Sequence, residues 1–186
     1  MLFRSDQIYQ LDFDLEDWIT WAFRNGQPEQ IIGFARWRPN LISDFKQPKD
    51  DLCKCPTPRS VAKLGELIKI GLDDLETYMS ACGEGFATEF AAFVKTRGAM
   101  PDIEELIKNP DKAPVPERPD VLYATCAAVA YRSNKANLGA CLAYAQRLTA
   151  EFNVLLAKDI VNKVPGADQS KEWTQWSCKN HKILSV

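Results

Sequence analysis

The run Pro56-Thr57-Pro58-Arg59-Ser60 has residue types and spacing suited to chemistry on an anion. Thr57 offers a capping oxygen, and Pro58 suits a first helical position because its missing N–H is no loss there. Arg59 and Ser60 then fall in the first turn. A helix N-terminus presents unpaired N–H groups and the positive end of the peptide dipoles, and a guanidinium adds a fork of donors matched to phosphate or carboxylate oxygens. The same dipole disfavours a cation, so Arg59 needs an anion close by. Two readings satisfy it: an ion pair with an Asp or Glu of the preceding loop, or an anionic ligand.

Self-sufficient catalysis is not expected. The 186 residues contain no phosphate-cradling G-x-x-x-x-G-K-[ST] run, and Gly83-Glu84-Gly85 reads instead as a helix-to-helix turn. The carboxylate pairs Asp50-Asp51, Asp73-Asp74 and Glu104-Glu105 are adjacent and point apart on a helix. The one histidine, His181, reads as a solvated surface residue and leaves most general-base schemes without a base. No G-x-S-x-G elbow or H-E-x-x-H pair is present. Cys53 and Cys55 form a C-x-C pair that could hold a soft metal, but zinc generally wants four ligands and no second cluster completes the set. They read as loop cysteines with no metal. Trp18, Trp21, Trp37, Trp173 and Trp176 have helical spacing that favours packing over base stacking, with Arg36 and Arg38 solvated on either side of an inward Trp37.

The elements that must position these residues are helical. Asp14 caps a helix over 15–24 whose apolar stripe is Trp18, Trp21 and Ala22, and Asn25-Gly26 stops it. Pro28 opens a second helix through Trp37. Residues 45–56 read as a polar loop, and Val61, Leu64, Leu67 and Ile68 make the buried stripe of the helix that carries Arg59. Gly71 separates it from a helix through Leu72, Leu75 and Met79. Gly83 to Gly85 precede one with Phe86, Phe90 and Phe93 on one side, stopped at Gly98. A short helix from Pro101-Asp102 to Ile107 leads to a connector over 109–119, whose four prolines forbid regular helix. Helices over 120–132, 134–148 and 150–163 follow, then a last one through Trp173 and Trp176. Residues 7–13 read as one short strand. The expectation is an all-α protein, mainly a helical bundle with one short N-terminal strand.

Composition limits the function classes. With 46% hydrophobic and 26% charged residues the chain can bury one sizeable core or two small ones. A net charge of −2 and a pI near 5.5 give no general footprint for nucleic acid or an anionic membrane. No apolar run approaches a membrane span, and Met1-Leu2-Phe3-Arg4-Ser5-Asp6 lacks a signal-peptide pattern, so a soluble cytoplasmic protein is expected. Cys82, Cys126, Cys141 and Cys178 sit in or beside helical apolar patterns and read as small buried thiols.

Several stretches in order resemble the C-terminal part of MoxR-like AAA+ ATPases of phage and bacterial gene clusters. They are Leu15-Glu16-Asp17-Trp18 with Trp21-Ala22, Ile31 to Pro39, Pro56 to Ser60, Gly83-Glu84-Gly85 with Glu89-Phe90, and Ala113-Pro114-Val115-Pro116 with Leu122-Tyr123. The resemblance implies that residues 1–13 end an AAA+ core, 14–98 form the helical lid, 99–119 a connector and 120–186 a C-terminal helical extension. It makes Arg59 a sensor-2 arginine reaching the nucleotide's γ-phosphate, with Thr57 and Ser60 beside it. Arg4 falls near the place of an arginine finger, although Phe3-Arg4-Ser5 departs from the family's Asn-Arg-Phe. Walker A, Walker B and sensor 1 would precede residue 1, so ATP and Mg²⁺ would be bound only in the complete ATPase, and this chain alone would have no activity. The implied partners are the upstream core, neighbouring subunits of a ring, and a von Willebrand A-type protein. An all-helical interaction module without nucleotide, recognising a protein through its Trp-rich ends, is the alternative.

Overall fold

A computed structural model describes residues 13–43 and 55–184. Among them the chain forms ten α-helices, a few 3₁₀ turns and no strand. Helix α1 (Leu15–Arg24) opens where the Asp14 carboxylate accepts from the Asp17 N–H at 2.9 Å, and it closes into Gly26, whose φ of +61° suits a residue without a Cβ. Helix α2 (Glu29–Trp37) follows Pro28, and α3 (Pro58–Lys69) starts at a reciprocal Thr57–Ser60 capping box. Asp74 caps α4 (Leu75–Cys82), and Gly83 at φ +86° both ends α4 and opens α5 (Glu84–Lys95). Then come α6 (Ile103–Lys108), α7 (Pro119–Arg132), α8 (Leu138–Ala145), α9 (Ala150–Lys163) and α10 (Lys171–Leu184).

Helix α7 is the centre. Every residue from Val121 to Ala130 except Tyr123 is buried, because α2 packs along one side of it and α9 along another. A helix apolar all round belongs in an interior. The α2 crossing is close: a Cβ on Gly33 would lie 3.2 Å from the Ala127 Cβ, 3.4 Å from the Ala124 Cα and 3.1 Å from the Phe93 ring. Small residues on both helices let the backbones meet, as in any tight helix contact. The adjacent residue, Phe34, meets Phe86, Phe90 and Phe93 edge-on with centroids 5.1–5.6 Å apart. One hydrophobic core therefore runs from α1 to α10, across the connector. That connector is held in place: Tyr144 Oη donates to the Pro114 carbonyl at 3.1 Å and Arg147 to that of Ala113 at 2.6 Å. At the far end, Trp176 Nε1 donates to Asn153 and Asn153 to Asn180, each at 2.9 Å, fastening α10 to α9.

Arg36 is not solvated as its place in the sequence suggests. Its side chain is 6% exposed and reaches Asp159 of α9 at 2.5 Å and Glu16 of α1. Asp159 is fully buried, and its second oxygen and Arg36 Nε find no partner among the described residues. One contact does not restore what the carboxylate loses in leaving water, and burial pushes the Asp159 carboxyl up to about 6 against the opposing pull of Arg36.

Other expectations change for physical reasons. The strand at 7–13 lies outside the described residues except for Phe13, which is not in a strand. Trp21 is 41% exposed; Ile19 and Phe23 share the inner face of α1 with Trp18 and Ala22. Leu72, Leu75 and Met79 are exposed, because α4 turns Tyr78 and Cys82 inward instead. Leu67 and Ile68 are only half-buried. The helix expected from 134 starts at Leu138, since the Asn137 side chain accepts from the Asn134 N–H at 2.8 Å and Asn134 from that of Ala136 at 2.9 Å, holding a turn. Helix α8 stops at Ala145, and α5 ends at Lys95 in a 3₁₀ turn over Thr96–Ala99, so Gly98 is not the stop. Cys178 is exposed.

Four predictions rest on this arrangement. Gly85→Ala, in the first turn of α5 with open space around it, raises stability by less than the roughly 0.5–1 kcal/mol that the change gives in mid-helix. Gly33→Val, at the closed crossing, lowers it by about 1–3 kcal/mol through overpacking, both read from thermal melts. Arg36→Ala leaves the Asp159 charge buried and costs about 3–5 kcal/mol at neutral pH. Because the folded-state pKa of Asp159 lies above its unfolded value, the folded state holds the extra proton between about pH 4 and 6. The Asp159 contribution is thus fully present below about pH 4 and lost as pH rises through 6. Denaturant melts should show the stability of wild type relative to Asp159→Asn increasing as pH falls across that window.

Candidate functional site

Three of the sequence-predicted residues come together. Thr57, Arg59 and Ser60 line a cleft of about 450 Å³ between α3 and α4, with Lys63 and Leu67 from α3 and Ser80 and Ala81 from α4. Several contacts fix the start of α3 here. Trp18 Nε1 of α1 donates to the Pro58 carbonyl at 3.3 Å, and Gln27 Nε2 donates to Glu66 at 2.7 Å. Gln27 also lies flat on α3 at Gly65, where a Cβ would stand 1.8 Å from its Oε1. The Cys82 thiol donates to Ser60 Oγ at 3.7 Å and ties in α4.

Within the cleft the hydroxyls and the cations differ. Ser60 N–H donates to Thr57 Oγ1 at 3.1 Å, and Thr57 N–H to Ser60 Oγ at 2.9 Å, so both oxygens are engaged in the helix cap. The Arg59 guanidinium and the Lys63 ammonium, one turn apart on α3, are exposed, and neither forms an ion pair with a described carboxylate. Of the two readings of Arg59, the ion pair with the preceding loop falls outside the described residues, since its acidic residues Asp50 and Asp51 lie there. The cleft offers two positive charges beside the positive end of a helix dipole, with Ser80 opposite and an apolar end at Leu67 and Ala81. Its chemistry is attraction of a polyanion.

The donor set matches the phosphate end of a nucleotide in part. Two cations and one helix end suit one or two phosphates, whereas Gly83 and Gly85 stand outside the cleft at the α4–α5 junction and form no phosphate loop. Other recesses differ: the cleft between α8 and α10 mixes Arg147 and Lys179 with Asp111 and Glu172. Arg38 stacks 4.1 Å over Trp37 and meets Glu89 at 3.4 Å, leaving no basic-aromatic patch open there. Lys63 was legible as the residue four after Arg59; Ser80 carried no sequence signal.

The remaining candidates stay apart. Arg4 and Cys53 lie outside the described residues, and Cys55 is a half-buried free thiol. Among the described residues no group of three or more His, Cys, Asp or Glu side chains could hold a metal ion. Of the tryptophans offered as a recognition surface near the C-terminus, Trp176 is buried in the asparagine clamp and Trp173 stacks on it at 4.9 Å. No helix among the described residues is long and apolar enough to cross a membrane. Comparison with known protein families, curated proteins and solved structures finds no match to this chain.

The thiols give a direct check of this geometry. Burial pushes Cys82 up to about 11 and Cys141 to about 12, and raises Cys126 further. At pH 8, iodoacetamide followed by peptide mapping should modify Cys178 within minutes and leave Cys82, Cys126 and Cys141 unlabelled until denaturant is added.

Proposed function

We propose that this chain is the helical lid and C-terminal extension of a MoxR-like AAA+ ATPase, contributing Arg59 to an ATP site completed by an AAA+ core. The observation that carries the reading is the pair of exposed cations, Arg59 and Lys63, on successive turns at the N-terminal end of α3, neither of which meets a carboxylate among the described residues. A positive helix end beside two exposed cations attracts an anion, and a polyphosphate matches both. ATP with Mg²⁺ supplies the phosphoryl group that such a site acts on.

The chain's own part is to hold charge and to move. Arg59 neutralises the terminal phosphate, and because α3 is pinned to α1 and to the α1–α2 turn through Trp18 and Gln27, a pull on Arg59 is a pull on the whole helical body. Loss of that phosphate would release the body and pass nucleotide state to a partner subunit. Thr57 and Ser60 act by shaping the helix start, since their hydroxyls are already bonded to each other's backbone.

The test joins this chain to a MoxR-like AAA+ core and follows ATP hydrolysis. Arg59→Ala is expected to cut turnover about 10²-fold or more, the scale of losing one preorganised charge-stabilising group, while the thermal melt stays unchanged. Lys63→Ala should cost less. Full turnover by the Arg59→Ala protein defeats the reading.

A further inference from the structure

The turn between α3 and α4 carries an apolar surface that neither the core nor the cleft uses. Ile70 is 74% exposed, and Leu72, Leu75 and Met79 are exposed beside it within ten residues of chain. Lone exposed apolar residues are ordinary; four together along one short segment mark a surface meant to be covered. Leu75 and Met79 stand one turn apart on the outer face of α4, while Tyr78 and Cys82 anchor its inner face.

This ridge is held firmly. The Asp74 carboxylate accepts from the Thr77 N–H at 2.8 Å, Asp73 accepts from Tyr78 Oη and from Gln30 Nε2 at 3.2 Å, and Gly71 turns the chain at φ +91°. A surface ordered before binding loses little entropy on contact. The segment that carries it is acidic: residues 66–79 contain Glu66, Asp73, Asp74 and Glu76 against one cation, Lys69, which Glu66 binds at 2.7 Å, and Arg97 donates to the Gln30 that also bonds Asp73. Two copies of the ridge face to face would set these carboxylates against each other. A partner with apolar residues at helical spacing flanked by Lys or Arg buries the ridge and meets these carboxylates at once.

We propose that the ridge Ile70, Leu72, Leu75 and Met79 is a docking surface for a basic amphipathic helical segment of a partner protein. The probe is a fluorescein-labelled Leu/Lys amphipathic helix of about 18 residues, long enough to hold several turns, read by fluorescence anisotropy against the whole chain. A Leu/Glu peptide of the same pattern and the Leu75→Gln/Met79→Gln protein are the comparisons. Both positions are exposed, so the fold should survive, checked by circular dichroism; Met79→Gln alone is measured alongside. Expected are saturable binding of the Leu/Lys peptide, at least about tenfold weaker binding by the double variant, and a severalfold loss with Glu76→Lys or on raising salt from about 50 to 300 mM. Equal affinity for the Leu/Glu peptide, undiminished binding by the double variant, or no binding to wild type overturns the proposal. So does a wild-type dimer in sedimentation that the double variant abolishes, since the ridge would then be covered by a second copy.

Discussion

The close approach of α2 to α7 at Gly33 is the constraint from which the rest of the arrangement follows. With no Cβ at Gly33 and only methyl groups at Ala124 and Ala127, the two helix axes draw near enough for the aromatic residues on either side to interlock. That contact joins the segment before the proline-rich connector to the segment after it. Once α7 is seated on α2, α9 can cover its other side and α1 can lie across α2 and α9. The connector needs little structure of its own, because Tyr144 and Arg147 tie down its carbonyls.

Two arginines show how burial decides the use of one charge. Arg36 is carried inward with α2 and must find Asp159 and Glu16, because a charge brought out of water without a partner is expensive. The pairing is incomplete, with one oxygen of Asp159 and one nitrogen of Arg36 unmatched, so it holds three helices in a particular relation more than it adds stability. Arg59 sits on the outer surface, where solvent tolerates it, and Lys63 adds a second charge one turn on. The first arginine is consumed by the fold, and the second meets no carboxylate among the described residues.

Much of the secondary structure was legible, because caps and breakers are local. Asp14, Thr57 and Asp102 each accept the backbone N–H expected of a residue that opens a helix, and Gly83 divides two helices as its neighbours suggested, whereas Asp74, read within a helix through Leu72, instead caps α4 at Leu75. Orientation was less legible. On α4 the pairs Leu75/Met79 and Tyr78/Cys82 have the same spacing, and the pattern alone cannot say which faces the core. Trp21 failed for the same reason, being apolar on a helix whose inner face was already filled. The turn at 134–137 was missed because two asparagine side chains compete for backbone N–H groups that a helix would have used.

The sequence by itself determined the helical class, most helix starts, and Arg59 as the cation in the first turn of its helix. These depend on residues within a few positions of one another, where capping oxygens, prolines and the period of 3.6 act directly. Only the tertiary structure decided that Arg36 meets Asp159 from 123 residues away, that Lys63 and Ser80 join Arg59 around one cleft, and that the α3–α4 ridge stays in water. Those outcomes depend on which faces remain once α2, α7 and α9 have closed on each other. Close packing is settled by the whole set of side-chain volumes at once and leaves no local signature.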